Sequence, residues 1–273
     1  MSWKSLALRI SADFESPGDP WGNIVGNFDG AVLTCGALGW TFSGGNQQAL
    51  VMACIKRCGV KFVDRTMPIS GELYLDCSKN LAKGTAIIST WSSGGVAVKE
   101  PFKSELKALW SSPEMQEEQQ IAASKMELLA ANMAATWRGD LVNVTAQDLC
   151  FFYDIAVQNG GLRGLGLSEV LAFVDLHDGY PGAFKAVSGW LMSFGAPCPG
   201  WKQAHQNAVE WSPLYPLASL WAQRLFILAH LRARKSSPQW SAVVMARKGT
   251  IALGKGWVES ELKDLRKDLG LIR

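Results

Sequence analysis

No apolar run in this sequence approaches the roughly 20 residues needed to span a bilayer. The longest runs, "SAVVMA" and "LFILA", have the length of core segments, so no membrane span is expected. The opening stretch "MSWKSLALRISADFES" carries polar residues through its apolar positions and lacks a small-residue cleavage site; it reads as a first helix and not as a signal peptide. Charge of one sign is also missing. A balance of 27 Lys and Arg against 24 Asp and Glu gives a net charge of +3 without a concentrated basic stripe, and no nucleic-acid partner is expected. His-Glu-x-x-His, Cys-x-x-Cys, Gly-x-x-x-x-Gly-Lys-Ser/Thr and Gly-x-Ser-x-Gly motifs are all absent. Metalloprotease, zinc, P-loop and hydrolase-elbow readings lose their support with them, and the expectation is no metal and no cofactor. Histidine is scarce: His177, His205 and His230 lie far apart with no nucleophile motif around them. The glycine-rich "GGLRGLG" follows a helical pattern and not a strand, so it reads as a loop. The six scattered cysteines are expected to be free, buried thiols, with Cys54 and Cys58 sharing one helical face.

What is present is enough apolar material for a full core. With 273 residues and 48% hydrophobic content, the chain reads as a single domain, 1–273, made of an N-terminal lobe of about 1–100 and a helical lobe of about 101–273. Leu6, Ile10 and Phe14 recur at helical spacing until Ser16-Pro17-Gly18 stops the helix just after Glu15. From Asn27 to Trp40 the pattern changes to Gly-punctuated short apolar runs around an Asp29-Gly30 turn, which predicts a small hairpin. "NQQALVMACIKRCG" predicts a helix capped at Gly59, "GELYLDCSKNLAKG" another ending at Gly84, and the segment from Pro113 a helix of about 25 residues. Thr145 to Asp148 forms a capping-box variant opening a helix that stops at Gly160-Gly161. Further helices are predicted near Ser168–Leu176, Ala183–Phe194, Leu217–Lys235 and Glu259–Leu269. The expected class is α+β, mainly α, with a small N-terminal β-hairpin.

Two carboxylates stand out. Glu15 at a helix C-terminus faces the negative end of the helix dipole, which favours its protonated form, while Asp29 on an exposed turn stays ionised. Such a pair suits acid hydrolysis of a glycosidic bond, where one carboxyl donates a proton to the leaving oxygen and the other activates water or stabilises positive charge. The same residues also suit a solvated helix end and an ordinary Asp-Gly turn, and the spacing leaves both readings open. Twelve tryptophans add a second hint, because an indole face stacks well on a sugar ring; Trp21 and Trp40 are the candidates for that contact, with core packing as the alternative.

"ALRISADFES" followed by "FDGAVLTCGALGW" resembles the N-terminal signature of the glycoside hydrolase family 46 chitosanases: an acid Glu ending the first helix, then Asp-Gly-x-x-x-Thr-x-Gly-x-x-Gly-aromatic. Asp29, Gly30, Thr34, Gly36, Gly39 and Trp40 match it. The longer run "GNFDGAVLTCGALGWTFSGGNQQALV" resembles bacterial and phage proteins of the lysozyme-like superfamily, several of them cell-wall-degrading effectors or labelled peptidoglycan-binding. "FFYDIAVQNGG" is similar to a Tyr-Asp-x-x-Val-Gln-x-Gly segment on a cleft-lining helix of that superfamily, and "VVMARKGTIALGKGWV" to its Arg-x-x-x-Ile-x-x-Gly-x-Gly tail. The resemblance implies a lysozyme-like two-lobed fold with Glu15 as general acid, Asp29 as general base and Thr34 as the hydroxyl holding the attacking water. Asp154, Gln158 and Asn159 join Trp21 and Trp40 as substrate-binding candidates, although Asp154 also suits a hydrogen-bonded place inside a helical core. The chain departs from the chitosanases in having Ala31-Val32 where they have Arg-Gly.

The reading that follows is a peptidoglycan glycan-strand hydrolase, a muramidase without cofactor. Its alternatives are a family 46 type chitosanase and a non-catalytic peptidoglycan-binding protein. Arg9, Lys56, Arg57, Lys61 and Arg65 crowd the N-terminal segment and disfavour a polycation such as chitosan. Without a signal peptide, the protein is expected to be made in the cytoplasm and to act on the cell wall, in the periplasm of a target cell, after delivery as an antibacterial effector or release as an endolysin. An immunity protein or a secretion-system component is the expected protein partner.

Overall fold

The computed structural model of the chain describes residues 2–15, 19–27, 30–92, 95–140 and 142–271. It is 65% helical with a small antiparallel sheet, the mainly helical α+β class expected. In chain order come α1 (Trp3–Glu15), β1 (Ile24–Val25), β2 (Thr34–Cys35), β3 (Trp40–Thr41), α2 (Asn46–Cys58), α3 (Lys61–Thr66), α4 (Gly71–Lys79), α5 (Leu81–Ser89), α6 (Phe102–Trp110) and α7 (Pro113–Arg138). Then follow α8 (Ala146–Asn159), α9 (Leu167–Leu176), α10 (Tyr180–Met192), α11 (Trp201–Leu214), α12 (Leu220–Arg234), α13 (Ser241–Leu253), β4 (Lys255–Val258) and β5 (Glu261–Asp264). The chain groups into two compact units, one of Ser11–Lys125 and one of Met1–Ile10 with Met126–Arg273.

In the Ser11–Lys125 unit, Val32, Leu33 and Phe42 from the sheet region are buried with Val51, Phe62, Tyr74, Phe102 and Trp110 from the helices. The sheet has the order β1-β2-β3, with Val25 opposite Thr34 and Thr34 opposite Thr41. Gly36 and Gly39, at φ +77° and +65°, make the β2–β3 turn. The sheet thus has one strand more than the predicted hairpin, because a two-residue strand such as Ile24–Val25 is too short to show alternation. Phe28 and Asp29 lie outside the described residues; Gly30 beside them has φ +87°.

One predicted helix is divided. Asn80 adopts an extended conformation that ends α4, and its side chain accepts from Lys83 N to cap α5. Gly84 is then no terminator but an interior residue of α5, where an added Cβ would lie 2.1 Å from the Cys77 carbonyl oxygen. Glycine is needed there for close approach of two helices.

In the other unit, α12 and α13 pack together and α13 also lies against α8, α11 and β4. Both helices are apolar on most of their circumference, as central helices must be. The capping box at Thr145 and Asp148 forms as expected, with Gly160 left-handed at the far end of α8. The predicted helix Glu259–Leu269 is instead the β4–β5 hairpin and the turns after it. Leu262, Leu265 and Leu269 imitate a helical stripe, but Glu259 and Ser260 sit at φ +50° and +65° and turn the chain back. Asn207 fixes this hairpin by donating to Trp257 O and accepting from Trp257 N, and Trp211 Nε1 donates to Lys255 O. The "GGLRGLG" stretch is a loop. All six cysteines are free; Cys35, Cys54, Cys77 and Cys150 are buried as expected, whereas Cys58 is exposed and Cys198 half-buried.

Candidate functional site

Glu15 is the last residue of α1 and is exposed, while the adjoining Phe14 is buried. The buried face of the helix, Leu6, Ile10 and Phe14, runs up to that end. Asp29 lies outside the described residues. Its flank is held by Asn27, whose Oδ1 accepts from Gly30 N at 3.0 Å and Val32 N at 3.3 Å. Val32 has φ +69°, a strained value for a β-branched residue, so the stretch carrying the motif is bent against local preference. Thr34 occupies the central strand β2; its Oγ1 is buried and has no hydrogen-bond partner among the described residues.

Trp40 sits on β3 opposite Cys35, half-buried, with its indole Nε1 also buried and unpartnered among the described residues. Trp21 is half-buried in a segment pinned by Asp19, which accepts from Gly22 N at 3.3 Å and Ser111 Oγ at 3.1 Å. Glu15, Trp21, Thr34 and Trp40 all belong to the Ser11–Lys125 unit.

Strands two residues long cannot hold themselves, and three buried amides supply what the ladder lacks. Gln47 Nε2 donates to Leu33 O at 2.9 Å and Trp40 O at 2.7 Å, bracketing Thr34 and its turn. Gln48 Nε2 donates to Phe42 O. Gln119 donates to Trp110 O at 3.0 Å and accepts from Ala37 N at 2.9 Å, fixing the β2–β3 turn to α6 and α7. Sequence reasoning missed these three. The signal was the pair "QQ" in both "GGNQQAL" and "EEQQIAA", where a neutral amide occupies a face of the helix that should be buried.

Asp154, Gln158 and Asn159 belong to the other unit, at the C-terminal end of α8. Asp154 is fully buried, and its placement is the core one of the two readings open in the sequence. Arg247 Nη2 donates to its Oδ1 at 2.5 Å and Lys248 Nζ to its Oδ2 at 2.8 Å. Burial pushes this carboxyl up, but Arg247 and Lys248 outweigh it and hold it down at about 2. Burial likewise lowers Lys248 to about 8, with Asp154 opposing the shift. Lys248 also donates to Gln158 Oε1 at 2.6 Å, so Asp154 and Gln158 share one ammonium. The Asn159 carbonyl accepts from Arg232, and its side-chain Oδ1 is buried without a partner among the described residues.

Of the five basic residues Arg9, Lys56, Arg57, Lys61 and Arg65, three are neutralised by ion pairs. Arg57 pairs with Glu117 and Glu118, Arg65 with Glu114, and Arg9 with Asp268. Among the described residues, only Lys56 and Lys61 of the five have no ion-pair partner. The positive field inferred from the sequence is correspondingly smaller.

Among the described residues, no helix is long and apolar enough to cross a membrane, and no group of three or more His, Cys, Asp or Glu is placed to hold a metal ion. No family model and no curated protein matches the chain. Among solved structures, the chain is similar to a mutant chitosanase from Bacillus subtilis crystallised with 6 GlcN. The likeness covers 96% of this chain and 98% of that one, at 17% sequence identity and a TM-score of 0.44.

Proposed function

We propose that this chain is a glycoside hydrolase that cuts peptidoglycan glycan strands between N-acetylmuramic acid and N-acetylglucosamine. Glu15 gives its proton to the leaving glycosidic oxygen, Asp29 takes a proton from water as that water attacks the anomeric carbon, and Thr34 holds the water. The observation that supports this reading is the Thr34 hydroxyl, which is buried on the central strand with no protein partner among the described residues. An unpartnered hydroxyl that both donates and accepts suits a bound water. The motif glycines Gly30, Gly36 and Gly39 all require positive φ, so the motif has a backbone reason to be where it is. Action on the wall, as an effector or a lysin with an immunity protein or secretion component as partner, follows from the same reading.

The test is Glu15→Gln, which keeps shape and removes the transferable proton. Turnover of purified sacculi should fall by about 100-fold or more, within the usual range for a general acid, with the fold and sacculus binding unchanged. Activity within a few-fold of wild type would overturn the assignment. In parallel, reducing-end release from sacculi should exceed that from chitosan at matched sugar concentration and ionic strength. Faster cutting of chitosan would make the chain a chitosanase, and binding to sacculi without turnover would make it a wall-binding protein.

A further inference from the structure

The three-stranded sheet has two unlike faces. Across it, Ile24, Cys35 and Trp40 stand in one row and Val25, Thr34 and Thr41 in another, because neighbours along a strand point to opposite sides. Cys35 belongs to the core of the Ser11–Lys125 unit, and Ile24 and Trp40 pack against that core. Val25, in the other row, is not part of it. The face turned away from this core therefore carries two threonines side by side on adjacent strands.

The register brings these two as close as a sheet allows. Phe42 N donates to Leu33 O at 2.8 Å, so Leu33 and Phe42 are a hydrogen-bonded pair and Thr34 with Thr41, the next pair along, is not. Side chains stand closest in pairs of that second kind, where the Cα atoms are about 4.5 Å apart. Facing threonines can hydrogen-bond each other. Here they do not. Thr34 Oγ1 is buried without a partner, and Thr41, whose N–H donates to Asn46 Oδ1, has no partner for its hydroxyl among the described residues. Two glycines frame the pair. An added Cβ at Gly44 would stand 2.5 Å from Thr41 Oγ1, and one at Gly39 would stand 3.6 Å from Thr34 Cγ2. The methyl of Thr34 is thus the branch that faces the β2–β3 turn, which leaves its hydroxyl free for another contact.

We propose that Thr41 is the second hydroxyl of the water site: Thr34 and Thr41 hold one water molecule between them, and that water is the nucleophile. A bound water needs two or more polar partners to stay in place, and one hydroxyl leaves it free to swing about a single contact. Two hydroxyls on facing strands fix its position, and position is what a reacting atom needs. The buried Thr34 hydroxyl also gains the partner that its burial demands. The role as nucleophile rests on the glycosidase reading above; the shared water rests on the sheet alone.

Two double-mutant cycles on the full chain test this, one in urea unfolding and one in turnover of purified sacculi, with Thr34→Val, Thr41→Val and the two combined. Valine keeps the shape and removes the hydroxyl. Thr41→Val strands the buried Thr34 hydroxyl, so the folding equilibrium constant should fall about fivefold or more, the lower end of the cost of an unsatisfied buried group. Adding Thr34→Val removes the stranded group and should recover most of that loss. In turnover, Thr41→Val should lower kcat about tenfold or more with KM unchanged, toward the roughly 100-fold that a 1 Å misplacement costs. The combined variant should be no slower than Thr34→Val, and Thr41→Ser, which restores the hydroxyl, should recover most of kcat. Effects on unfolding that add within about twofold, as independent sites do, would overturn the shared water. So would a wild-type kcat in Thr41→Val beside a lowered one in Thr34→Val, or a loss in Thr41→Ser as large as in Thr41→Val, which marks a packing contact. Should Thr41→Val fail to fold, recovery of the fold in the combined variant supports the pair and its absence overturns it. Should wild type release no reducing ends from sacculi or chitosan, the glycosidase reading fails and the unfolding cycle alone decides for or against the shared water.

Discussion

Replacing Asp154 by Asn should destabilise the protein far more than any exposed change, and the structure says by how much. The carboxylate has no exposure and faces Arg247 and Lys248, which are 2% and 0% exposed. The amide keeps the volume but takes the Asp154 charge away from two buried cations, and breaking a buried pair by removing one partner costs about 3–5 kcal/mol. Arg247 cannot release its proton, so Lys248 must answer by deprotonating. Lys248 already sits at about 8 in the folded chain, below its ordinary 10.5, and the loss of Asp154 removes the influence that opposes burial. The cost should therefore lie at the lower end of the range above pH 8 and grow below it. Urea denaturation of wild type and Asp154→Asn at pH 6, 7 and 9 reads this directly. Lys248→Met gives the control, since Asp154 keeps Arg247 and the loss should be smaller than for Asp154→Asn. A loss below about 1 kcal/mol for Asp154→Asn, typical of a neutral hydrogen bond, would refute the charge argument.

The wild-type pH profile should show the same groups. Asp154, depressed from 3.8 to about 2, contributes stability that is present above pH 3.8 and is lost as pH falls toward 2, so acid unfolding monitored by circular dichroism should flatten in Asp154→Asn over that window. Lys248, depressed from 10.5 to about 8, makes the unfolded chain bind more protons between those values, so its contribution to stability should rise with pH across that interval and vanish in Lys248→Met. Gly36→Ala places a Cβ 2.4 Å from Gln119 Oε1 at φ +77°. Thermal or urea unfolding should show a loss of about 2–5 kcal/mol, from roughly 1–2 for the left-handed backbone and 1–3 for overpacking. Thr34→Val removes a buried hydroxyl without a protein partner and should leave stability equal or higher while turnover falls and KM holds; an unchanged turnover number would remove Thr34 from the mechanism.

The sequence by itself determined the features that depend on near neighbours. The stripe Leu6, Ile10, Phe14 carried α1 to its end at Glu15, Thr145 and Asp148 marked the start of α8, and Pro113 the start of α7, because amphipathic spacing and capping act within one or two turns. The mainly helical class followed from the same local signals. Tertiary structure decided what local pattern leaves degenerate. Gly84 reads as a helix stop until the Cys77 backbone is found against it, and Leu262, Leu265 and Leu269 read as a helix until Asn207 and Trp211 hold the chain as a hairpin. The candidate site shows the same division. The motif singled out Thr34 and Trp40 as candidates, but the sheet that carries them is pinned by Gln47 and by Gln119, the latter more than eighty positions away from Ala37. Asp154 shows the limit most plainly. Its spacing from Gln158 suited both a cleft-facing pair and a place in a helical core, and only the folded chain brings Arg247 and Lys248 from more than ninety positions away to bury its charge. Burial of a charge depends on partners supplied by the whole fold, and no local spacing encodes them.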